Sequence, residues 1–186
     1  MKLPRTLRLD PSDTFVFAKA AEAGEWAVSG SFLFFDADLE ALAPKERAAL
    51  RAGFLGLSSF GWSTLCVVTS VSEDERAGAV ESLAHFIHEQ MGAPSLEAAR
   101  AAAEDEIAFA ASICDHPEGT VLAVQRGIED GEIRERFRTL HQRAREKGGD
   151  SLHAQARAFT FVESEGEESG VEEHVDLIGL MKDKAQ

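Results

Sequence analysis

Glu81, His85 and His88 recur at one-turn spacing, and a histidine pair with a carboxylate on one helix face can give an ion such as zinc two or three ligands. The local sequence reads His85-Phe86-Ile87-His88-Glu89, so the HExxH pattern of zinc hydrolases is absent. On a helical wheel the three fall at the edge of an apolar stripe, where solvated side chains sit. A solvated face is the plainer reading, and no bound metal or other cofactor is expected. Cys114-Asp115-His116 sets a thiol, a carboxylate and an imidazole in consecutive positions at a helix C-terminus. The dipole there favours a protonated imidazole over an activated thiolate, and adjacent residues rarely face one another, so a Cys-His nucleophile pair is geometrically awkward. Gly53, Gly56 and Gly61 close a helix and enter a strand, the reverse of a phosphate cradle, and no Lys-Ser or Lys-Thr pair accompanies them.

Arg134, Arg138, His141 and Arg145 repeat at i, i+4, i+7 and i+11, which on a helix makes a basic stripe able to hold a phosphate or a carboxylate. Glu132 precedes Arg136 by one turn and acidic helices lie elsewhere in the chain, so an internally paired or solvated face is the plainer reading. Glu106 breaks this pattern. On a helical wheel it falls between Ile113 and Ala110, inside the apolar arc of a helix whose Glu104 and Asp105 point away. A carboxylate so placed must find a donor or take up a proton. With Cys114, Asp115, His116, Arg134 and Arg138 it forms the candidate lining of a pocket for an anionic small molecule. The plainer alternative is a shallow arc edge from which Glu106 reaches solvent or a nearby arginine.

The elements that must position these residues begin with strands. Thr6 to Leu9 alternates, Asp10-Pro11-Ser12-Asp13 is a turn cluster, Thr14 to Ala18 alternates again, and Glu25 to Phe35 is the longest strand candidate. That third strand carries aromatics on both faces, so Trp26, Phe32, Phe34 and Phe35 are a candidate core strand or self-association interface. Pro44 suits a first helical position, with Leu50, Phe54 and Leu57 following at helical spacing and Gly53 permitting close approach. Trp62 to Val71 reads as one strand buried on both faces. Val80, Leu83, Ala84, Ile87 and Met91 mark a helix from Ser72 to Gly92; Ser95 caps the next, which runs to about Cys114. His116-Pro117-Glu118-Gly119 stops it, Thr120 to Gln125 is a strand, and Ile133, Phe137 and Leu140 predict a fourth helix. Lys147 to Asp150 reads as a linker into an acidic appendage with strand-like runs at Ala158 to Val162 and His174 to Leu180.

The expected architecture is therefore α+β: a largely antiparallel sheet, opened by an N-terminal meander and packed by three to four helices, over residues 1–147. Residues 148–186 form a hairpin or tail. The 186 residues, 44% hydrophobic, suffice for one sizeable core. With 33 acidic against 19 basic residues and a formal charge of -14, the surface field repels phosphate backbones and anionic headgroups, so neither nucleic acid nor membrane is an expected partner. No secretory signal opens the sequence and no run is long enough to span a bilayer. Cys66 and Cys114 are 48 positions apart and make no CxxC pair, which points to a thiol-containing cytoplasmic protein.

The runs Arg8-Leu9-Asp10, Gly24-Glu25-Trp26-Ala27-Val28-Ser29-Gly30, Gly53 to Gly61, His116-Pro117-Glu118-Gly119-Thr120 and Arg134-Glu135-Arg136-Phe137-Arg138 resemble a family of short bacterial proteins defined only as a domain of unknown function. The resemblance covers residues 5 to 140 or so. It implies a bacterial cytosolic protein and brings no catalytic residues. The expected function is non-catalytic binding or assembly, with a protein partner or a second copy of the chain. A small-ligand receptor or enzyme around Glu106 and His116 is the alternative.

Overall fold

The computed structural model describes residues 1–129, 131–142 and 159–163. Its larger sheet is antiparallel throughout, in the order β1 (Lys2–Leu7), β5 (Leu65–Ser70), β6 (Val121–Glu129), β7 (Glu132–Gln142) and β8 (Phe159–Glu163). A smaller antiparallel sheet joins β2 (Ala27–Val28), β3 (Phe54–Gly56) and β4 (Trp62–Ser63). Four helices complete the described fold: α1 (Ser12–Val16), α2 (Pro44–Ala52), α3 (Glu73–Met91) and α4 (Leu96–Ser112). The class is α+β, as the patterning implies.

The helical pair α3 and α4 forms where its sequence dictates. Ser72 accepts from the Glu75 N–H at 3.2 Å while Glu75 Oε2 accepts from the Ser72 N–H at 3.0 Å, a reciprocal cap. Gly92 ends α3 in the left-handed conformation at φ 73°, and Ser95 caps α4 through the Ala98 N–H at 3.1 Å. Val80, Leu83, Ala84 and Ile87 of α3 meet Ala99, Ala103, Ile107 and Ala110 of α4 in one core cluster. The row of alanines lets the two helices approach closely, and Arg100 grips Glu81 across the seam at 2.6 and 2.9 Å.

The strand expected over Glu25 to Phe35 is cut short. Only Ala27–Val28 forms a strand, with an isolated antiparallel bridge between Trp26 and Arg5 before it; Gly30 then turns at φ 78° into a 3-10 helix over Ser31–Phe34. A Cβ on Gly30 would lie 2.8 Å from Leu55 Cβ and 2.9 Å from the Trp62 ring, so the reversal depends on glycine. The turn sends Phe32 and Phe34 into separate core clusters and leaves Phe35 67% exposed.

Four further expectations are corrected. Thr14 to Ala18 is not a strand: Ser12–Val16 is a single helical turn whose buried Asp13 accepts from Thr64 Oγ1 at 2.6 Å and from the Thr64 N–H at 3.2 Å. That anchor also bends the run Trp62 to Val71 at Thr64, so β4 and β5 fall in different sheets. Phe54 leaves the helical register because α2 stops at Ala52. Gly53 then sits where a Cβ would lie 2.6 Å from Trp62 Cε3. Finally, the helix expected around Ile133, Phe137 and Leu140 is the strand β7, paired with β6 from Val121↔Leu140 to Glu129↔Glu132. Local spacing fits either period, and Gly131 at φ 81°, beside the closing pair Glu129↔Glu132, decides for a hairpin. The proposed linker at 147–150 and the run 174–180 lie outside the described residues, whereas β8 joins the sheet beside β7.

Candidate functional site

Along β6, alternation puts Leu122, Val124 and Arg126 on the face that enters the core. Directly across, β7 supplies Thr139, Phe137 and Glu135. An apolar strand thus delivers a guanidinium whose side chain is 0% exposed, and such a charge persists only when its donors are spent. Arg126 Nε donates to Glu135 Oε1 at 2.6 Å. Nη1 donates to the carbonyls of Gly53 at 2.8 Å, Leu50 at 3.1 Å and Ala49 at 3.4 Å, all at the C-terminal end of α2, where the Ala49 carbonyl also accepts from the Gly53 N–H at 2.9 Å. Nη2 donates to Ser29 O at 2.5 Å and to Ser29 Oγ at 2.9 Å. The Ser29 hydroxyl in turn donates to Glu135. One side chain therefore ties together α2, the turn after β2, and both strands of the hairpin.

α4 lies over this cluster. Phe109 meets Phe137 edge-on with centroids 5.9 Å apart, and Phe137 meets Phe54 at 6.2 Å. Glu106 stands one turn before Phe109 and is half-buried. Burial raises its pKa to about 7; the negative charges of Glu135 and then Asp105 push the same way, and Arg126 opposes them. A carboxyl in this position holds a proton into the neutral range. It can exchange that proton near pH 7 or donate a hydrogen bond that an ionised carboxylate cannot.

The other sequence candidates are distributed differently. Cys114 is buried in the cluster that holds Cys66, and burial pushes its thiol up to about 12, far from a nucleophile's range. Asp115 is exposed; His116 is half-buried, its carbonyl accepting from Lys2 Nζ. Arg134 is exposed beside Glu132 at 2.9 Å. Arg134 and Arg138 alternate onto the face of β7 opposite to Glu135. The groups acting on Glu106 are Glu135, Asp105 and Arg126. On α3, His85 and His88 are exposed, and the Arg100 grip holds Glu81 below the usual carboxylate range. Among the described residues no group of three or more His, Cys, Asp or Glu side chains could hold a metal ion.

Arg126, Glu135 and Ser29 were not among the sequence candidates, nor was Glu25. Burial tends to raise the Glu25 carboxyl, but hydrogen bonds from Ser59, Ser58 and Glu22 outweigh it and hold the group below its ordinary value. The backbone N–H groups of Ser58 and Ser59 reach it at 2.8 and 2.7 Å. The signal for Arg126 was available: a charged residue in phase with Leu122 and Val124.

The sequence profile of a family of unknown function, DUF6505, matches residues 1–158. The chain belongs to this family. The match takes in β1 through β7 and every residue of the Arg126 cluster, together with Glu106. Neither the curated proteins nor the solved structures contain a significant match to the chain. Among the described residues no helix is long and apolar enough to cross a membrane.

Proposed function

We propose that this family member is a non-catalytic binding or assembly protein of the bacterial cytosol, acting through a protein partner or a second copy of itself. The observation that carries this reading is Phe35, 67% exposed at the end of a turn whose start is pinned by Arg126 and whose Phe32 and Phe34 are buried. A large aromatic presented on a fixed loop loses little freedom on docking and anchors an interface efficiently. The free buried thiols Cys66 and Cys114 support a reducing compartment. The formal charge of -14 disfavours nucleic acid and anionic membrane as partners.

Phe35→Ser tests it. The variant should keep the wild-type melting temperature while losing the self-association seen by sedimentation velocity, or the partner that co-purifies with the wild type. Wild-type protein that stays monomeric at all concentrations, with the same captured proteins for wild type and Phe35→Ser, would sink the proposal.

A small-ligand receptor centred on Glu106 is the second reading, favoured by a half-buried carboxyl that stays protonated near neutrality. Glu135 and Asp105 beside it suit a neutral or cationic ligand group better than an anion. Glu106→Gln should then abolish ligand-dependent thermal stabilisation in a metabolite screen; unchanged stabilisation excludes this version.

A further inference from the structure

Phe35 stands in a run of one sign of charge: residues 20–44 hold five acidic side chains and no lysine or arginine. Beyond Phe35 the loop alternates. Ala37 and Leu39 pack onto the cluster of Phe17, Phe34, Ala49 and Leu50, while Asp36, Asp38 and Glu40 are exposed. Among the described residues none forms an ion pair with these three acids, whereas Glu81, Glu129 and Glu132 each hold an arginine.

The loop is also held in shape. Asp38 Oδ1 accepts from the Glu40 N–H at 3.1 Å and from the Ala41 N–H at 3.4 Å. Arg47 of α2 donates through Nη2 to the carbonyls of Glu40 and Leu42, at 3.2 Å each. The guanidinium that reaches this loop therefore binds its backbone and not its carboxylates. An exposed aromatic gains by entering an apolar pocket, and acids set beside it gain by meeting the opposite charge.

We propose that Phe35 with Asp36, Asp38 and Glu40 is a docking surface for a different, basic polypeptide, one whose contact face is an apolar pocket rimmed by lysine and arginine. The proposal rests on the reading of Phe35 as a docking residue and decides between the two partners that reading allows. A second copy meeting this surface with the same surface would set three acids against three, in a protein that already carries a formal charge of -14. A basic partner is drawn by the same field. The acids steer its approach and set how fast the complex forms, while Phe35 fills the pocket and sets how long it lasts.

The test places the photo-cross-linker p-benzoylphenylalanine at position 35 of the full chain, expressed in its native host. The captured peptide should belong to another polypeptide and carry a net positive charge. A carbodiimide, which joins a carboxylate to an amine in contact with it as water is lost, should link Asp36, Asp38 or Glu40 to lysines of that same polypeptide. Asp36→Lys with Glu40→Lys should cut the photo-cross-link about tenfold, as should raising a lysate to about 1 M salt, where the screening length falls to about 3 Å. Both side chains are exposed, so the melting temperature should hold. If it falls, Asp36→Asn with Glu40→Gln takes the place of the reversal and should still weaken capture. A captured peptide that is neutral or acidic, or a yield that ignores the charge changes, overturns the proposal and leaves the docking role of Phe35 standing. A cross-link to a second copy of this chain overturns it too. No capture from position 35 sinks the proposal and the docking role together.

Discussion

The layer formed by α3 and α4 and the loop-rich stretch from Ala27 to Thr64 are held by opposite means. Between the helices, burial is apolar: Leu83, Ala84, Ala99, Ala103 and Ile107 are sealed from solvent, and the polar contacts sit at the capped ends and in the solvent-facing Arg100–Glu81 pair. In the loop-rich stretch the small strands β2, β3 and β4 offer two or three residues each, too few to define themselves. Asp13, Glu25 and Arg126 hold it instead, each reaching in from another element to satisfy backbone or hydroxyl groups. Apolar packing is graded and tolerant, whereas a buried charge fails all at once when a partner is removed.

The largest effect should come from Arg126→Met. It keeps most of the side-chain length but strands Glu135, the Ser29 carbonyl and the end of α2, for a loss of about 3–5 kcal/mol by urea denaturation. Adding Glu135→Leu should return part of that loss, since the uncompensated carboxylate goes with it. If Arg126→Met costs no more than a surface change, the charge is not what holds the loops, and the contrast drawn above collapses. Leu83→Ala in the helical layer should cost about 2–4 kcal/mol. Its damage should appear as a uniform drop in stability, without the selective loop proteolysis between Ser29 and Thr64 expected of Arg126→Met.

Glu106→Gln should have the smallest effect at neutral pH, within about 1 kcal/mol and with a gain permitted. Its signature is pH dependence. The Glu106 carboxyl rises from an ordinary 4.5 to about 7 on folding, so the folded protein holds the extra proton. The stability this provides is complete below pH 4.5 and fades as pH climbs through about 7. Wild type should lose stability relative to Glu106→Gln across that interval, and parallel stability curves would show that burial does not raise the Glu106 carboxyl on folding.

The same contrast explains what could be read from the sequence. α3 and α4 were legible because their caps and stripes are local: Ser72, Gly92 and Ser95 lie within a few residues of what they control. Glu106 was legible because its position in the apolar arc is a property of its own helix. The stretch Glu25 to Phe35 was not, because the turn at Gly30 is enforced by Leu55 and Trp62, which alternation within the stretch cannot reveal. β7 failed for another reason. Ile133, Phe137 and Leu140 satisfy a helical period, and Gly131, at φ 81°, carried more weight than their spacing. Arg126 is intelligible only once Ser29, Gly53 and Glu135 surround it.

The reach of Arg126 also orders events in time. Its donors close contacts 97 residues back to Ser29 and 73 back to Gly53, and contacts of such separation form late because the chain entropy they consume is large. On a ribosome, the segment from Ser29 to Gly53 has emerged long before residue 126. Until the β6–β7 hairpin arrives, the end of α2 and the turn that carries Phe35 have no guanidinium to close them. The turn that carries Phe35 thus takes its final shape only after the hairpin is made, and a nascent chain cannot present that side chain on a closed turn before then.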